Sequence, residues 1–109
     1  MISLESFRKL ALSFPGAVEV PHFEKPSFRV NKKIFATLDG EHNRACLMLS
    51  EIDQSVFITY DVSVIYPVPN KWGLKGATYV NLKSIPKGIL TDALTHAYDK
   101  AALNKKGSK

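Results

Sequence analysis

In the stretch SLESFRKLALSF, apolar residues recur at Leu4, Phe7, Leu10, Ala11 and Phe14. That is the spacing of a helix with one buried face. Ser3 suits the cap, Glu5 suits the positive end of the helix dipole, and Pro15-Gly16 ends the run. The next segment, AVEVPHFEKPSF, is broken by Pro21 and Pro26. Proline lacks a ladder donor, so the segment reads as edge strand and turn.

SFRVNKKIFATL alternates as a hairpin does, and two registers are open. A three-residue loop, Asn31-Lys32-Lys33, puts Phe28, Val30, Ile34, Ala36 and Leu38 on one face. A two-residue loop, Asn31-Lys32, pairs Phe28 with Phe35 and sets Arg29 opposite Ile34. The first keeps the apolar set together and is preferred. Asp39-Gly40 opens the next turn, and RACLML predicts a strand over 44–49. The residues after it favour a strand by propensity. Ser50 with Asp53 at the third helical position nevertheless forms a capping pair, and Ile52, Val56 and Phe57 then share a face. The expectation is a short helix over 51–59. YPVPN reads as rigid loop, with Gly73 and Gly76 giving the following segment its tight turn. ATYVNL alternates as a strand. From Pro86 onward Ile89, Leu90, Ala93, Leu94, Ala97, Tyr98 and Ala101 fall at helical spacing.

The resulting order is helix, three strands, short helix, strand, long helix. Hairpin strands between terminal helices predict an α+β domain, an antiparallel sheet with helices packed on one face. The 109 residues fit one domain, 1–104, followed by a flexible basic tail, 105–109. A monomer is the default. No apolar run reaches the length of a membrane span, and the N-terminus lacks the pattern of a secretory signal. Cys46 is the only cysteine, so no internal disulfide forms and a reducing cytoplasm is expected.

Charge is unevenly spread. Net charge is +5, but residues 1–61 hold 7 basic and 8 acidic groups, whereas residues 62–109 hold 8 lysines and 2 acids. Such a concentration attracts anions. Catalytic chemistry is hard to find. His22, His42 and His96 are scattered, Glu19 and Glu24 have no acid–base partner, and there is no nucleophile elbow or phosphate-cradling loop. Neither a metal nor a cofactor is expected, and the chain is read as no enzyme. In NKWGLKGATYVNL, Trp72 is expected to pack against the sheet and the neighbouring prolines, leaving Lys71 and Lys75 as surface.

FPGAVEVPHFEKPSFRVNKKIFATL and VIYPVPNKWGLKGATYVNL, followed by LTHAYDK, resemble the MmcQ/YjbR family of small bacterial proteins. The shared features are the Pro-Gly, the Pro-His-Phe, the hairpin residues Phe28, Val30, Lys33, Phe35 and Ala36, and the proline-then-tryptophan run of Pro67, Pro69 and Trp72. The resemblance implies a double-wing, frataxin-like (CyaY-like) two-layer fold, and DNA binding. Relatives often carry glycine in the first hairpin turn where this chain has Asn31-Lys32, which suggests a longer loop here. The frataxin likeness raises iron, but the first helix carries only Glu5 as an acid, beside Arg8 and Lys9.

Two functions are therefore expected from different classes. One is a non-catalytic, sequence-nonspecific DNA binder, in which Arg29, Lys32, Lys33, Lys71, Lys75 and Lys83 meet phosphates of a duplex, weakly, and Trp72 stacks a base if exposed. The alternative is a small-ligand or protein-interaction module with a groove lined by Tyr66, prolines and Trp72.

Overall fold

The computed structural model describes residues 1–22 and 25–107, with side chains through Leu103. The chain runs α1 (Leu4–Leu12), β1 (Val18–His22), β2 (Lys25–Val30), β3 (Lys33–Asp39), a 3-10 turn (Gly40–His42), β4 (Arg44–Met48), α2 (Glu51–Phe57), β5 (Ile65–Pro67), α3 (Lys71–Leu74), β6 (Ala77–Asn81) and α4 (Lys87–Gly107). Helix α4 thus enters the segment expected as a tail. Ser108 and Lys109 of that tail lie outside the described residues, as does Glu24.

All six strands join one antiparallel sheet in the order β1-β2-β3-β4-β6-β5. Directly opposed residues point to the same face, so the register sorts the sheet into two surfaces. One carries Phe28, Ala36, Leu47 and Thr78 in one row and Leu38, Ala45, Val80 and Ile65 in the next. Phe7 and Ala11 of α1 and Leu90, Ala93, Leu94, Ala97 and Ala101 of α4 cover it, and these residues form one buried core. Phe7 meets Phe28 edge-on at 5.7 Å. The alanine stripe on α4 lets that helix lie close to the strands. Helices on one face of an antiparallel sheet are the α+β arrangement the sequence predicts.

Local chemistry sets the helix starts. The Ser3 side chain accepts from Ser6 N at 3.0 Å, and the Ser50 side chain accepts from Asp53 N at 3.0 Å. The second cap is what turns a strand-prone segment into α2, because it satisfies an end donor that a strand would leave elsewhere. Helix α2 ends at Phe57, two residues earlier than expected.

Three expectations need correction. The β2–β3 loop has two residues, since Val30 pairs with Lys33 and both Asn31 (φ 52) and Lys32 (φ 68) are left-handed. That is the backbone of a tight hairpin turn, so no longer loop is present. A register shift between Phe28 and Arg29 then restores the apolar pairing, with Phe28 opposite Ala36 and Arg29 opposite Ile34. The bulge turns both Phe35 and Ala36 into the core, each fully buried. Tyr66 and Pro67 of the YPVPN stretch, read as loop, belong to β5 at the sheet edge, where Pro67 is tolerated because an edge residue need not donate. Residues 71–74, also read as loop, form α3.

Candidate functional site

The hairpin tip and α3 lie at the same end of the sheet. Strand β3 starts at the tip, β4 ends there, and β6 starts there, because Ala36 pairs with Leu47 and Met48 with Ala77. Two strand spacings separate β3 from β6, about 10 Å. Lys32, Lys33, Lys71 and Lys75 are exposed at this end. Among the described residues none of them makes an ion pair, whereas Arg8 is held by Glu5 and Glu19 and Lys25 by Asp39. Helix α2 begins at this end too, bringing Glu51, while Asp53 is drawn to His96 Nδ1 at 3.2 Å.

Trp72 is not buried against the sheet. It is 57% exposed. Gly73 takes the inward position of α3 instead, so close to the chain before it that an added Cβ would lie 1.8 Å from the Val68 carbonyl oxygen. A one-turn helix has only one inward position, and glycine occupies it. The indole is thereby turned out, with Lys71 Nζ 5.9 Å and Lys75 Nζ 5.6 Å from the ring centroid. Both ammonium groups are within cation–π range.

The other two named residues sit apart. Lys83 follows the far end of β6, beyond the Arg44–Asn81 pair, so a strand length of about 17 Å separates it from α3. Arg29 lies on β2, half-buried, its Nε donating to Ser27 Oγ at 3.1 Å. The structure brings together four of the six expected cations, with Trp72 among them.

The second surface of the sheet carries a cluster that no local spacing reveals. One row across it is Val20, Ser27, Thr37, Cys46, Tyr79 and Tyr66, and the next is His22, Lys25, Asp39, Arg44 and Asn81. None of these belongs to the helix-covered core. The Arg44 guanidinium packs 3.8 Å above the Tyr79 ring, and Tyr66 stands 5.6 Å from Tyr79. Asp39 Oδ2 meets His42 Nδ1 at 2.9 Å, Arg44 Nε at 3.3 Å and Lys25 Nζ at 3.6 Å. Its Oδ1 is buried with no hydrogen-bond partner. Burial penalises the Asp39 charge, but the His42 hydrogen bond, the Lys25 charge and Arg44 outweigh it, and the carboxyl stays below its ordinary range. Burial pushes the neighbouring Cys46 thiol up to about 11, so it is no nucleophile at neutral pH.

Asp39, Glu41 and His42 also bring three potential metal-ligand atoms within 4.8 Å. Lys25 and Arg44 already hold the same carboxylate, however, and a cation there would face two fixed positive charges. The cluster is better suited to fixing Arg44 than to holding a metal. Its acid response follows from the sign of the Asp39 shift. A depressed carboxyl contributes stability that is fully present above the unfolded value of about 3.9 and is lost as pH falls through the folded value. Asp39→Asn is therefore expected to lower Tm at pH 7 and to narrow the Tm difference between pH 7 and pH 3, read by circular dichroism. An unchanged difference would assign the acid response to other groups.

A cavity of about 500 Å³ opens between α1 and the start of α4, lined by residues including Ile2, Lys9, Leu10, Lys87 and Leu90. It is not beside Tyr66 and Trp72, where the alternative reading needs a groove. No helix among the described residues is long and apolar enough to cross a membrane.

Comparison with known proteins agrees with the architecture. The crystal structure of Deinococcus radiodurans protein DR2400, with the domain DUF419, superposes with a TM-score of 0.78 at 22% identity, covering 98% of this chain and 82% of that one. At that identity the likeness speaks for the fold alone. No curated protein matches the chain. A sequence model of the YjbR family matches residues 12–100, most of the chain from the end of α1 into α4, and the chain belongs to the YjbR family.

Proposed function

We propose that this protein is a non-catalytic, sequence-nonspecific nucleic-acid binder that meets the phosphate backbone with the end of the sheet bearing Lys32, Lys33, Lys71 and Lys75. The observation that carries this reading is the exposed Trp72 ring between two ammonium groups, at the same end as a second pair of lysines, with no carboxylate paired to any of the four among the described residues. Phosphate contact needs positive charge within reach and tolerates irregular spacing. Nothing in the sequence resembles a recognition helix, which fits binding without sequence preference. The lone, half-buried Cys46 suits a reducing, cytoplasmic setting.

Four phosphates neutralised give a salt slope near −3.6, or roughly a hundredfold loss of affinity between 50 and 200 mM salt. Affinity at physiological salt is expected on the order of micromolar or weaker. Lys71→Glu with Lys75→Glu should roughly halve the slope and weaken duplex binding by about tenfold or more, with an unchanged circular dichroism spectrum. Fluorescence anisotropy on a labelled duplex over a salt series measures both. A double variant that binds like the wild type, or a wild type that does not bind at low salt, overturns the proposal.

A further inference from the structure

We infer that the uncovered face of the sheet is a second site, distinct from the lysine end, that takes single-stranded nucleic acid by stacking a base on Arg44 above Tyr79. The inference extends the nucleic-acid reading above to another class of substrate and uses none of the four lysines.

Three features support it. First, the platform is preorganised. Arg44 packs 3.8 Å above Tyr79 and is tied at Nε to the buried Asp39, so the guanidinium has little freedom left to lose on binding. Its side chain keeps 26% exposure. A guanidinium plane and an aromatic ring are the surfaces on which unpaired bases stack, whatever the base. Second, the platform is wide. Tyr66 adjoins Tyr79 at 5.6 Å toward the β5 edge; in the other direction Lys25 Nζ reaches to 3.6 Å from the Asp39 oxygen that also holds Arg44, and Arg29 lies on β2, three strands from Tyr79, about 14 Å. A strand crossing the sheet would meet stacking groups first and cations second. Third, the charge balance is right. Asp39 is the one described acid in these two rows, and its carboxylate is buried and already engaged by Arg44, Lys25 and His42. The exposed Glu41 carboxylate lies within 4.8 Å of the Asp39 and His42 atoms, so Arg44, Lys25 and Arg29 stand against two acids and the surface keeps a net of one positive charge. A duplex, whose bases are already stacked on one another, has no unpaired base to offer this surface.

The test uses the full chain with two probes, a labelled oligodeoxythymidine of about 12 nucleotides and a labelled duplex of the same length. Arg44→Lys keeps the charge beside Asp39 and removes the planar group. It should weaken the single strand about tenfold and leave the duplex within about twofold. Tyr66→Leu, at the sheet edge, should also weaken the single strand and serves as the second variant if Arg44→Lys does not fold. Lys71→Glu with Lys75→Glu should do the reverse, hitting the duplex harder. Amide shifts in Arg44, Cys46 and Tyr79 on adding the single strand would locate it. Single-strand binding that ignores both open-face variants overturns this inference and leaves the lysine-end reading standing. Duplex binding lost with single-strand binding kept and Arg44-dependent does the opposite. If neither probe binds at protein concentrations on the order of tens of micromolar, both readings fall.

Discussion

Gly76→Ala is expected to destabilise the protein by about 2–6 kcal/mol. Two costs add. Gly76 sits at φ +114, which an L side chain adopts only under strain of about 1–3 kcal/mol. A Cβ there would also lie 1.9 Å from the Leu49 carbonyl oxygen, and that atom is backbone and cannot swing aside, a further cost of about 1–3 kcal/mol. The two segments meet because Leu49 N donates to Gly76 O at 3.2 Å, joining the end of β4 to the chain entering β6. For a domain of this size the lower bound alone is a fall in Tm of about 8–16 °C. Gly88→Ala is the control. Nothing lies within 4 Å of its added Cβ and the residue is in α4, so this change should stabilise by up to about 1 kcal/mol. Thermal melts of the two variants with opposite signs would tie the loss to close backbone approach. Two losses of similar size would instead point to a general effect of replacing glycine.

A third glycine, Gly73, shows why part of the site was legible and part was not. Periodicity placed α1 and α4, and the Ser50–Asp53 pair placed α2, because a cap is written in adjacent residues. Helix α3 has four residues, too few for any period, and its orientation depends on a clash with Val68 that only the folded chain contains. Trp72 was therefore expected inside, as tryptophans usually are, and is found outside. The lysines flanking it were visible, but that Lys83 stands a strand length away follows from the pairing of β6 with β4. The uncovered face was less legible still. Arg44, Tyr66 and Tyr79 meet only through the β4–β6 and β5–β6 registers, and β5 was itself hidden by Pro67 and the nearby Pro69.

Those placements also separate the two kinds of cation in this protein. Arg8 and Arg44 are anchored, with raised pKa values and fixed carboxylate partners, and they serve as parts of the scaffold. Lys32, Lys33, Lys71 and Lys75 have no such partners among the described residues. Anchored arginine suits stacking, where geometry decides, and unanchored lysine suits phosphate, where only charge and reach matter. The two proposed surfaces thus differ in chemistry as well as position, which is why a charge-keeping change at Arg44 and a charge-reversing change at Lys71 and Lys75 are expected to separate.

Phe35→Ala should cost about 3–5 kcal/mol, a large share of the total stability of a domain this size. Phe35 is fully buried, edge-on to Tyr98 at 5.5 Å and to Phe14 at 6.1 Å, and those two rings stack on each other at 4.7 Å. The three rings join the end of α1, β3 and α4, and the Tyr98 hydroxyl donates to the Pro15 carbonyl on the far side. Truncation leaves a cavity that rigid neighbours fill only partly. The result also decides the hairpin register. With a three-residue loop and strict alternation, Phe35 would point to the uncovered face, opposite Phe28, Ala36 and Leu38, and its loss would cost under about 1 kcal/mol. With the bulge it belongs to the core. Urea denaturation separates these outcomes, and an unchanged m-value would confine the difference to the folded state. A small loss would mean that the bulge is absent, and with it the two-residue turn that presents Lys32 and Lys33 beside α3.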